Sequence, residues 1–83
     1  MEIEEIKQLI EQGVPDCIVK LDGDGTHFEA IIISKRFTGK TMVQQHQIVY
    51  QALGEKMGTD IHALSMQTFT PEEWEKKKHL RVI

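Results

Sequence analysis

Cys17-Ile18-Val19-Lys20-Leu21-Asp22-Gly23-Asp24-Gly25-Thr26-His27-Phe28-Glu29-Ala30-Ile31-Ile32-Ile33-Ser34 is the stretch that decides the fold. Over 17–21 the residues alternate, with Cys17, Val19 and Leu21 on one face and Ile18 and Lys20 on the other, the period of a half-buried strand. A second run covers 27–34. Between them, Asp22-Gly23-Asp24-Gly25 supplies two glycines that tolerate the positive φ of tight hairpin turns. The two strands are therefore expected to pair antiparallel. Ile31, Ile32 and Ile33 place β-branched side chains on both faces of the second strand, which predicts a central position covered from both sides.

Upstream, Ile3, Ile6, Leu9 and Ile10 recur at helical spacing behind an acidic start, favourable to the helix dipole. Gly13 and Pro15 end this helix, expected over about 2–12. Downstream of Ser34-Lys35-Arg36-Phe37-Thr38-Gly39-Lys40, a long amphipathic helix is expected over about 41–57. Its stripe reads Val43, His46, Tyr50, Leu53 and Met57, and Gly58 ends it. A third strand is expected over about 61–69. Thr70-Pro71-Glu72-Glu73 then carries the signals of a helix start, giving a short helix with Trp74 and a flexible basic tail over 75–83. The order is α-β-β-α-β with a small terminal helix. A helix joins strand 2 to strand 3, so if they are neighbours they run parallel.

At 83 residues, with 40% hydrophobic and 28% charged residues, the chain has room for a single domain. No apolar run approaches the ~20 residues that span a bilayer. One cysteine cannot build a disulfide framework, so a reducing cytoplasm is the expected compartment. The net charge of −3 is unevenly spread: residues 1–33 hold two basic against eight acidic groups, and residues 34–83 hold eight basic against five acidic.

Several chemistries are weak on spacing alone. Residues 34–41 approach a phosphate-binding loop, but Ser34 stands where its first glycine belongs and Phe37 is bulky. Asp22-Gly23-Asp24-Gly25 lacks the later ligands of a calcium loop. Cys17 sits in an apolar strand pattern, and no glycine-flanked serine offers a nucleophile. His46 is expected to be packed on the long helix, and His79 to be solvated. His27 and His62 each begin a strand, so parallel strands would bring them to one sheet edge, with Cys17 at the other. Two imidazoles are too few for a structural zinc site. They are either ordinary strand-end histidines or part of a metal site completed by another molecule.

Five pieces in this order resemble the BolA family, most closely its bacterial IbaG branch: Gly25-Thr26-His27-Phe28, Ser34-Lys35-Arg36-Phe37-Thr38-Gly39-Lys40, His46 with Val49-Tyr50, Ile61-His62-Ala63-Leu64, and Thr68-Phe69-Thr70-Pro71-Glu72-Glu73-Trp74. The resemblance implies an α+β, class II KH-like fold of order α-β-β-α-α-β, with a three-stranded mixed sheet packed against helices. It implies a non-enzymatic adaptor in iron-sulfur trafficking that binds a monothiol glutaredoxin. The [2Fe-2S] cluster would be shared with that partner and glutathione, with His62 and His27 as this chain's metal ligands. The chain would be a monomer alone or a heterodimer with its partner.

Some family members bind DNA, which leaves a nucleic-acid-binding regulator as the alternative. Here Gln45-His46-Gln47 replaces a frequent Arg-His-Arg, and Phe37-Thr38-Gly39-Lys40 has one glycine where a KH loop has two. Lys35, Arg36 and Lys40 remain as a basic turn for nucleic acid, with Lys76-Lys77-Lys78 beyond.

Overall fold

The computed structural model describes residues 2–24, 27–56 and 63–81, the side chains of 78–81 excepted. The elements follow in the order α1 (Ile3–Gly13), β1 (Cys17–Gly23), β2 (His27–Ser34), α2 (Met42–Leu53), β3 (Ala63–Phe69) and α3 (Pro71–Arg81), with single 3₁₀ turns at Lys35–Phe37 and Gly54–Lys56. This is an α+β fold with one three-stranded mixed sheet, ordered β1-β2-β3. The hairpin pairs antiparallel, and β2 and β3 pair parallel as the crossover argument requires.

Alternation along the strands gives the sheet two unlike faces. The inner face carries Val19, Phe28, Ala30 and Ile32. It is buried under Ile6, Ile10 and Val14 of α1 and the following turn, Phe37, and Val49 and Leu53 of α2. At about 1.5–3 kcal/mol for each large side chain removed from water, this layer is the main source of stability. On the outer face, β2 grades from exposed His27 and Glu29, through half-buried Ile31, to buried Ile33. Its position is central, but only the Ile33 end is covered on both sides. The cover there is α3, whose Trp74 ring lies 5.5 Å from that of Phe69 with Lys20 Nζ 5.0 Å from the Trp74 centroid.

Four boundaries and faces differ from the sequence reading. Gly23 belongs to β1, opposite Phe28, so the hairpin turn begins beyond Asp22; Gly25 and Thr26 lie outside the described residues. The long helix ends at Gly54, not Gly58. Gly54 adopts φ 59°, the left-handed region that a glycine enters without steric cost. Residues 75–81, expected as a flexible tail, continue α3 to Arg81.

The fourth difference is the face that α2 buries. Gln45, Val49 and Leu53 point inward, whereas Val43 and Tyr50, on the stripe expected to face the core, are exposed. The reason is Gln45, a polar residue satisfied inside. Its amide donates to the carbonyls of Phe37 (3.1 Å) and Lys40 (3.0 Å), and its carbonyl accepts from the Thr68 hydroxyl. Ser34, fully buried, donates to Pro15 O and accepts from the Arg36 amide. These two side chains fasten the turn after β2 to the rest of the fold.

Candidate metal-ligand edge

His27 opens β2 because the hairpin closes immediately before it. The His27 amide donates to Asp24 Oδ1 at 2.8 Å, and the Asp24 amide donates to the His27 carbonyl at 3.1 Å. The imidazole itself is free for chemistry: its side chain is 74% exposed, and Nδ1 stands 4.0 Å from Asp24 Oδ2. That separation is too long for a hydrogen bond. It places a carboxylate charge beside the ring without fixing its orientation. Asp22, Gly23, Asp24, His27 and Glu29 line a shallow depression around it.

Register fixes what shares this edge. His27 is paired with Ala63, the first residue of β3, on a parallel neighbour. His62 precedes Ala63 in sequence and lies outside the described residues, as do Ile61 and Met57. Among the described residues no three His, Cys, Asp or Glu side chains converge in a geometry that could hold a metal ion.

Cys17 lies at the other end of the sheet. It pairs with Ser34, the last residue of β2, seven strand positions from His27 and so roughly 23 Å away. Burial, and then the nearby Glu11 carboxylate, pushes its thiol up from the ordinary value, opposite to what a reactive thiolate needs. His46 is half-buried on α2, and the side chain of His79 is among those not described.

Lys35, Arg36 and Lys40 are all exposed in the turn after β2, again at the Ser34 end. His27 and the basic turn thus stand at opposite ends of β2. Sequence reasoning missed the outward face of α2, where Met42, Val43 and Tyr50 are exposed at 70%, 66% and 42%. The available signal was that Met42–Leu53 contains no charged residue, so charge could not mark its solvent side.

A family model described as BolA-like protein matches residues 8–73. The acid stress protein IbaG of Escherichia coli (strain K12) is 35% identical over 81 residues, 96% of this chain and 96% of that protein. The DNA-binding transcriptional regulator BolA of the same strain is 40% identical over 53 residues, 64% of this chain and 50% of the relative. The match thus spans about half the length of that relative. Among solved structures, a BolA protein homologue from Coxiella burnetii superposes with a TM-score of 0.82 at 46% identity, covering 90% of this chain and 97% of that one.

Proposed function

From the premise that this chain belongs to the BolA-like family, we propose that it is a non-enzymatic adaptor that receives or delivers a [2Fe-2S] cluster together with a monothiol glutaredoxin. The observation that carries this reading is the exposed His27 imidazole at the start of β2, in register with Ala63 and hence with the residue that follows His62 in sequence. Imidazole is a recognised ligand in mixed Cys/His clusters. The cluster is cargo: this chain supplies His62 and His27, while the partner and glutathione supply thiolates. The Asp24 carboxylate, 4.0 Å from Nδ1, would come within hydrogen-bond reach of that nitrogen by a small rotation of either exposed side chain, leaving the other ring nitrogen for the iron.

The test is to mix the chain anaerobically with a cluster-loaded monothiol glutaredoxin and follow visible absorption and circular dichroism. The wild type is expected to change both spectra, His62→Ala to abolish the change, and His27→Ala to abolish or reshape it. An unchanged spectrum with the wild type, or a change untouched by both variants, overturns the reading.

A second reading has its own support: a relative is named a DNA-binding transcriptional regulator, and Lys35, Arg36 and Lys40 are exposed together. Binding carried by such phosphate contacts falls steeply with salt. Duplex gel shifts across a salt series would show it, with Arg36→Glu and Lys40→Glu weakening the complex at every sequence. Retention unaffected by these changes refutes it.

A further inference from the structure

The two edges of the sheet are guarded differently. β1 carries Lys20 and Asp22 and follows Pro15, the charges and proline with which proteins blunt an open edge. β3, Ala63–Phe69, reads Ala-Leu-Ser-Met-Gln-Thr-Phe, with no charge and no proline. No described backbone group pairs with its outer side. None of its seven residues is fully buried, so Leu64 and Met66, on the inner face, stay half-exposed beside α2.

We propose that β3 is a self-pairing edge: two copies of this chain join β3 to β3 antiparallel, about a two-fold axis at Met66, and continue the sheet to six strands. The sequence is complementary to its own reverse. About that axis Met66 meets Met66, Leu64 meets Thr68, polar Ser65 meets polar Gln67, and small Ala63 meets bulky Phe69. Faces are conserved, since every pair joins residues of the same parity.

Charge favours the same arrangement and selects a second copy as the occupant. Lys77 Nζ rests 3.0 Å from Gln67 Oε1, with the Phe69 ring beneath it at 4.8 Å. Glu29, exposed on the same outer face, is registered with Ser65. Setting Gln67 of one copy opposite Ser65 of the other leaves about 10 Å between the Gln67 and Glu29 α-carbons, within the joint reach of Lys77 and Glu29. The two-fold axis makes this pair twice. An isologous interface needs such self-complementarity.

Analytical ultracentrifugation of the full chain from about 10 μM to about 1 mM should give a mass that rises toward twice the monomer. Amide exchange over 64–68 should slow as concentration rises. Ser65→Lys with Gln67→Lys, both at exposed positions, sets like charges opposite one another and should return the monomer mass at every concentration with the circular dichroism spectrum unchanged. Lys77→Glu should weaken association about tenfold, and adding Glu29→Lys should restore it. A monomer throughout overturns the proposal, as it would if another protein's strand takes this edge. So does a dimer indifferent to the two lysines, or a charge swap that restores nothing.

Discussion

Replacing Gln45 by Met tests whether the turn after β2 is fastened from inside. Methionine keeps the length of the side chain and its contacts beside Val49, so little volume is lost and no cavity opens. Three hydrogen bonds disappear: two donated to Phe37 O and Lys40 O, one accepted from Thr68. Each is worth about 1 kcal/mol net. The Phe37 carbonyl keeps a second partner, the Lys40 amide at 3.2 Å, so it is not orphaned, and the half-buried Thr68 hydroxyl can turn toward water. The expected loss is therefore about 2–3 kcal/mol, a large part of the total for a chain of this length. The assay is urea unfolding followed by circular dichroism, in which the midpoint should fall while the slope is unchanged. Heat should agree, with a melting temperature lower by roughly 10–20 °C. Gln45→Glu adds a sign: at neutral pH its carboxylate faces two carbonyls, so it should cost more than Met and recover on acidification as a protonated acid regains a donor. A loss below about 0.5 kcal/mol for Gln45→Met would refute the reasoning.

Other expectations follow from single contacts. A Cβ on Gly13 would overlap the methyl of Ala52 on α2, so Gly13→Val should cost about 1–3 kcal/mol by prising the two helices apart, read as a lower urea midpoint. Trp74→Ala removes the tilted ring contact with Phe69 and the seat of Lys20. Amide exchange over α3 should accelerate while α1 and the β1–β2 ladder keep their protection. Cys17 should alkylate more slowly at mild alkaline pH than a free thiol. Burial favours its neutral form, so the associated stability is intact below the ordinary thiol range and is lost as pH rises through the raised folded value. Cys17→Ser should flatten that alkaline decline.

The hairpin, the central place of β2 and the parallel β3 were legible because strand period and crossover handedness are local or topological rules. The face of α2 was not. Hydrophobic pattern assumes polar residues point outward, and the helix inverts that by burying Gln45 while exposing Val43 and Tyr50. What makes Gln45 tolerable inside is the set of carbonyls presented by residues 37 and 40 and the hydroxyl of Thr68, contacts no periodicity encodes. Gly54 ends the helix at φ 59°, directly after buried Leu53, a stop that the apolar stripe does not mark. At the candidate site, His27 was legible as a strand start. The carboxylate 4.0 Å from its ring was not, because it depends on where the hairpin turn begins.

The arrangement keeps the two proposed sites apart. His27 opens β2 and the basic turn of Lys35 and Arg36 follows its end, so the length of one strand, roughly 23 Å, stands between them. At physiological ionic strength the Debye length is about 8 Å, and energetic effects of sites more than 7–10 Å apart with no shared partners are close to additive. Charge reversal at Lys35 or Arg36 should therefore leave a cluster spectrum at the His27 edge unchanged, and His27→Ala should leave any salt-sensitive duplex binding unchanged. Coupling between the two would require β2 to shift as a rod. Buried Phe28, Ala30, Ile32, Ile33 and Ser34, packed or hydrogen-bonded along it, oppose that shift: a slip of one residue would turn the whole inner set outward.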